Sequence, residues 1–147
     1  MTGGTTRRGV LALGAGLLAR PAGAAEPELG FEALYASIGV RGIVLSDRVK
    51  ALAGKPVQMR GYMAPPLRAE SRFFVLTREP LTLCPFCQSD AEWPIDIVVI
   101  YLRRAVPLSD GGTRLMVQGR LEAGSWTDPE SGFVSLLRLV DADYRVG

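Results

Sequence analysis

The sequence predicts a mainly β fold, a small curled sheet of five strands behind a short N-terminal helical segment. Three observations predict it. Five apolar or alternating runs of strand length follow one another between residues 56 and 140. The connectors are turn sequences: Ala64-Pro65-Pro66, Ser109-Asp110-Gly111-Gly112 and Asp128-Pro129-Glu130-Ser131-Gly132. Gly61 and Gly119 interrupt two strands where the inward pattern asks for a side chain, which lets a sheet bend toward closure.

Taken in order, residues 1–24 read as an export signal. Thr6-Arg7-Arg8-Gly9-Val10-Leu11 has the form of a twin-arginine signal, and the apolar run Gly9 to Leu18 is too short to span a bilayer. Arg20 and Pro21 follow, and Ala22-Gly23-Ala24 suggests cleavage after Ala24. Residues 25–44 form a connector. Phe31, Leu34, Tyr35 and Ile38 fall at helical spacing, which predicts a short helix or turn. A clearer helix follows, with Ser46 as N-cap, Asp47 in the first turn and Gly54 as stop; Leu45, Val49 and Leu52 share a face.

From Pro56 the period changes to two. Val57, Met59, Gly61 and Met63 alternate with Gln58, Arg60 and Tyr62. Phe73 to Thr77 is a second short strand. Asp96 to Leu102 is β-branched and apolar on both faces, so central. Leu115, Val117, Gly119 and Leu121 alternate with polar partners over Arg114 to Glu122, and Gly132 to Val140 is the fifth strand. Strand count and spacing fit a partly open barrel of the OB type over residues 45–147, with a small β-sandwich as the alternative.

Charge excludes some functions. Three of the 17 basic residues (Arg7, Arg8, Arg20) precede the cleavage point and none of the 15 acidic ones do, so the remainder carries a net charge of −1. No basic patch calls for nucleic acid, and no later run is long enough for a transmembrane segment. Tyr62, Phe74, Trp93 and Trp126 are candidates for an OB-type stacking surface. The sequence has no histidine, so Ser-His-Asp and Cys-His catalytic sets are excluded.

Chemistry concentrates in the loop Thr82 to Pro94. It carries both cysteines of the chain, as Cys84-Pro85-Phe86-Cys87, with Asp90, Glu92, Trp93 and Pro94. Two thiolates at this spacing are half of a tetrahedral metal site, and Asp90 or Glu92 can add oxygen. Thioether sulfur from Met59, Met63 or Met116 would favour copper over zinc. An oxidising compartment would instead pair the thiols in a disulfide worth about 2 kcal/mol for so short a loop. Thiol–disulfide catalysis is the third option, but a thioredoxin-like pair opens a long helix in a βαβ unit, and Pro94 stops any helix soon after Cys87.

Leu52-Ala53-Gly54-Lys55-Pro56-Val57-Gln58-Met59-Arg60-Gly61-Tyr62-Met63-Ala64-Pro65, followed by Phe73-Phe74-Val75-Leu76, the Cys84 loop and Val117 to Leu121, resembles a family of small exported bacterial domains of unknown function. The resemblance covers roughly residues 45–140. It implies an OB-like domain, a working loop at Cys84, and service beside metal-related ABC transport systems, particularly for zinc. Relatives often carry one loop cysteine, the match of Cys84, followed by a histidine and a proline run; here Cys84-Pro85-Phe86-Cys87-Gln88 stands instead. The combined expectation is an exported, non-enzymatic binding protein holding zinc or copper through Cys84, Cys87, Asp90 and Glu92. The rivals are an interaction domain with a loop-bracing disulfide and a thiol redox protein.

Overall fold

The computed structural model describes residues 25–65, 72–81, 95–105 and 112–147. Seven strands are present among them. Strands β1 (Tyr35–Gly39) and β2 (Gly42–Leu45) form a hairpin of their own. Strands β3 (Pro56–Met63), β4 (Phe73–Thr77), β5 (Ile97–Leu102), β6 (Arg114–Thr127) and β7 (Val134–Val146) pair in the ring order β3-β4-β5-β7-β6. The five barrel strands thus follow the order first, second, third, fifth, fourth. The third and fifth are parallel and every other pair is antiparallel. This arrangement is the OB-type barrel that strand count and spacing predict; the ring excludes the sandwich alternative.

The ring closes through a thin seam. Strands β3 and β4 share only the pairs Tyr62↔Thr77 and Met63↔Leu76. At Gln58 the N-terminal segment takes the place of β4 in a single parallel bridge. Leu29 N–H donates to Gln58 O (2.8 Å) and Gln58 N–H donates to Pro27 O (3.0 Å). Leu29, Phe31 and Leu34 follow into the barrel core, so the connector supplies part of the interior.

Alternation sends Val57, Met59 and Met63 inward from β3, Phe74 and Leu76 from β4, and Val98 and Ile100 from β5. Both inward glycines stand where neighbours leave no room. A Cβ on Gly61 would lie 2.6 Å from Thr77 O and 2.8 Å from Leu76 Cγ; one on Gly119 would lie 3.0 Å from Ala142 Cβ. Gly119 also sits at a register shift between β6 and β7, opposite which Asp141 takes a left-handed φ of 51°. A second shift lies between Ala123 and Trp126. These bulges let both strands run several residues beyond Glu122 and Val140, where the sequence pattern breaks, while still curling around the core.

The helix α1 (Asp47–Leu52) matches its sequence signals. Ser46 Oγ accepts from Val49 N–H at 3.1 Å, Val49 is fully buried, and Leu45 and Leu52 rest on the core. The segment before it differs from expectation. Only Phe31–Ala33 make a 3-10 turn, and Tyr35 onward is the hairpin β1–β2. Gly39 and Gly42 close the turn, and β-branched Ile38, Ile43 and Val44 favour strand over helix despite the helical spacing of Phe31, Leu34, Tyr35 and Ile38.

Candidate functional site

The cysteine-bearing loop, with Cys84, Cys87, Asp90, Glu92 and Trp93, lies outside the described residues. The strand ends that frame it are described. Thr77 at the end of β4 pairs with Ile97 at the start of β5. Arg78 N–H donates to Asp96 O at 3.2 Å. The Thr77 hydroxyl stands 2.7 Å from Glu79 O and 3.2 Å from Tyr62 O, so it ties the exit of β4 to β3. Both ends of the 78–96 connection are therefore held side by side at one rim of the barrel. Of the other sequence-selected ligands, Met59 and Met63 are fully buried in the core, so their thioethers serve packing. Met116 points outward, with its sulfur 2.8 Å from the Arg145 guanidinium. Among the described residues no three cysteine, aspartate or glutamate side chains converge as a metal site.

The outer wall of the same strands carries a second layer of side chains. Alternation turns Phe73, Val75 and Thr77 of β4, and Ile97, Val99 and Tyr101 of β5, away from the core. Phe133, from the β6–β7 turn, packs with Ala64, Val75 and Ile97. Phe73 lies 5.6 Å from Tyr101 and 5.7 Å from Phe133 between ring centroids, and Trp126 meets Tyr101 edge-on at 5.4 Å. Such contacts add to area burial and fix ring orientation. Trp126 remains 37% exposed.

Charge is wired into this wall. Arg138 on β7, only 8% exposed, donates through Nε to Glu122 Oε2 (2.9 Å) and through Nη1 to Gly124 O (2.9 Å). Its guanidinium carbon stands 5.0 Å from the Trp126 ring centre, a cation–π contact. Glu122 also accepts from Arg120 (2.7 Å), which reaches Asp141 (3.3 Å). The turn is locked by Asp128, whose carboxylate accepts from Glu130 N–H (2.9 Å) and from the Ser131 hydroxyl (2.7 Å). Burial alone would raise the Asp128 pKa, but these donors together hold it below the usual carboxylate value. Burial first, and then the Asp128 charge, push the Tyr101 hydroxyl up to about 12. The Tyr101 oxygen is sealed from water and faces Asp128 outside good hydrogen-bond geometry.

Chemically this wall can hold a partner by contact. Its charged groups are committed to hydrogen bonds and ion pairs, and its exposed part is aromatic. Of the stacking candidates named from sequence, Trp126 belongs to it. Phe74 instead lies inside the barrel, edge-on to Tyr144 at 5.5 Å, because it has the opposite parity to Phe73. Sequence reasoning missed Phe73, Tyr101, Phe133 and Arg138. Strand parity could have found Phe73 and Tyr101. The Arg138 contacts arise from the β6–β7 pairing and carry no local signal.

No family model matches this chain, and no curated protein matches it. Among solved structures, it is similar to the crystal structure of a DUF3299 family protein from Pseudomonas aeruginosa. The match has 15% identity and a TM-score of 0.50 over 80% of this chain and 93% of that one. At that identity the likeness is one of fold, shared with a protein whose family is itself of unknown function.

Proposed function

We propose that the protein is an exported accessory module that handles a thiophilic metal, zinc or copper, through Cys84 and Cys87, in the service of a transport system. One observation carries the reading. The only two cysteines of the chain lie in the connection between β4 and β5, whose ends are held in register by Thr77↔Ile97. Two thiolates leave half a tetrahedral site to be filled by Asp90, Glu92 or a second molecule. The arginine pair and the small-residue cleavage pattern of residues 1–24 support export.

The test is metal content and thiol titration of the protein purified from both sides of the membrane. The expected result is one metal per one or two chains, lost in Cys84→Ser. A metal-free protein with a fixed disulfide that resists mild reductant refutes it. The aromatic wall favours a second reading: an interaction domain whose cysteines only brace the loop. Exposed Trp126 beside Phe73, Tyr101 and Phe133 offers contact area without needing a metal. In that case partner capture survives Cys84→Ser unchanged.

A further inference from the structure

Among the described residues the hairpin β1–β2 forms a sheet of its own, with no strand pairing to the barrel. An isolated two-stranded hairpin is marginal in water, yet this one exposes apolar residues: Ile38 at 51%, Val44 at 48% and Val40 fully. Its two outer edges are unlike. The β1 edge is broken by a register shift between Tyr35 and Ser37. The β2 edge, Gly42-Ile43-Val44-Leu45, is regular and has no charge, proline or bulge to protect it. Ser46 N–H donates to Leu34 O at 3.0 Å, so it points toward β1. Strand alternation then turns the backbone groups of Leu45 and Ile43 toward the other edge.

We infer that β2 is the surface through which two copies of this chain associate, edge to edge and antiparallel, about a two-fold axis at Val44. Such an axis pairs Val44 with its own copy and Ile43 with Leu45 of the second copy, using the outward-pointing backbone groups. It joins two hairpins into a four-stranded sheet. Ile38 pairs with Ile43, and Tyr35 with Leu45, so these four share one face, and Tyr35 and Leu45 already rest on the barrel core. The two-fold places both copies of that apolar face on the same side, as an isologous contact requires.

Charge selects a second copy as the occupant. Arg41, beside the hairpin tip, has no ion-pair partner among the described residues. Three residues from the axis on the opposite side stands Asp47, with a fully exposed side chain paired only to Lys50 at 3.2 Å. Arg41, in the turn before β2, and Asp47, the first residue of α1 after it, flank the strand at opposite ends, so an antiparallel pairing about Val44 sets the Arg41 end of each β2 beside the Asp47 end of the other, twice per dimer. The two Arg41 residues lie at opposite ends of the paired strands, beyond the screening length of roughly 8 Å in physiological salt. A generic apolar strand offers no carboxylate at that position.

Sedimentation velocity of the full chain, from about 1 μM to about 1 mM, covers the affinity range of a small edge contact. A concentration-dependent dimer is expected. Val44→Lys sets two like charges against each other on the axis and should weaken the dimer about five-fold or more. Arg41→Asp should weaken it similarly, and Arg41→Asp combined with Asp47→Arg should restore it; this pair keeps the test sound if the lysine variant misfolds. A monomer throughout overturns the inference, whether or not a foreign strand binds β2. A dimer indifferent to both single variants overturns it too.

Discussion

Replacing Gly61 by alanine tests how the barrel is closed. The added Cβ would stand 2.6 Å from Thr77 O, 2.8 Å from Leu76 Cγ and 3.1 Å from Phe31 Cε2. Phe31 can give a few tenths of an ångström. The other two atoms cannot move alone, because Thr77 and Leu76 are the β4 half of the two pairs that join β3 to β4. Reaching an ordinary contact of 3.4 Å from 2.6 Å requires the strands to part by 0.8 Å at that seam. Overpacking of this kind costs about 1–3 kcal/mol, and weakening a seam hydrogen bond adds about 1 kcal/mol. The lower chain entropy of alanine returns about 0.5–1 kcal/mol. The net expectation is a loss of about 1–3.5 kcal/mol, or a fall of roughly 4–14 °C in Tm for a domain of this size. Gly39→Ala is the control, since a Cβ there meets nothing within 4 Å; it should stay within about 0.5 kcal/mol of the parent. Thermal and urea unfolding followed by circular dichroism measure both. A Gly61→Ala protein that melts with the parent refutes the claim that the seam is tight.

Two further outcomes follow from the outer wall. Tyr101 should ionise near pH 12 in a spectrophotometric titration of tyrosinate. Because its folded pKa is raised, its stabilising contribution is complete below about pH 10 and is lost as pH climbs through about 12. Tyr101→Phe should abolish the step near pH 12, and a titration that Tyr101→Phe leaves unchanged there contradicts the reasoning. Arg138→Met keeps the stem but removes the charge between Glu122 and Trp126, and should cost about 1–3 kcal/mol. Glu122→Gln, which leaves the Arg138 charge without its main partner, should cost at least as much. Denaturant midpoints with tryptophan emission as the probe decide it, and two variants as stable as the parent count against the wiring described.

Much of the barrel was legible because its causes are local. The period-two runs in β3 and β6 and the Ser46 cap each act within a few residues, and each appears where its signal lies. Gly61 and Gly119 were legible as bends, although the atoms that crowd them come from β4 and β7. The hairpin β1–β2 was hidden because Phe31, Leu34, Tyr35 and Ile38 satisfy a helical spacing by coincidence. There Phe31 and Leu34 enter the barrel from a turn, whereas Ile38 points to solvent. The extensions of β6 and β7 were hidden because the alternation stops at Glu122 and Val140, and Gly124 and Asp141 just beyond serve as bulges. The aromatic wall was least legible, because it joins β4, β5, β6 and β7 only when parallel β5–β7 pairing brings them together. The cysteine pair stands out in the sequence for the opposite reason: its four residues are contiguous.

The position of β7 between β5 and β6 has a consequence for synthesis. A chain emerging from the ribosome can form hairpins early, but the slot that completes the ring is filled by β7, Val134–Val146, the barrel strand latest in the sequence among the described residues. Gly147 N–H then fastens that strand to Arg114 O at 3.1 Å. The ring cannot close until β7 is available, so closure waits on a strand far along the chain from the first barrel strand, slowed by its reliance on sequence-distant partners.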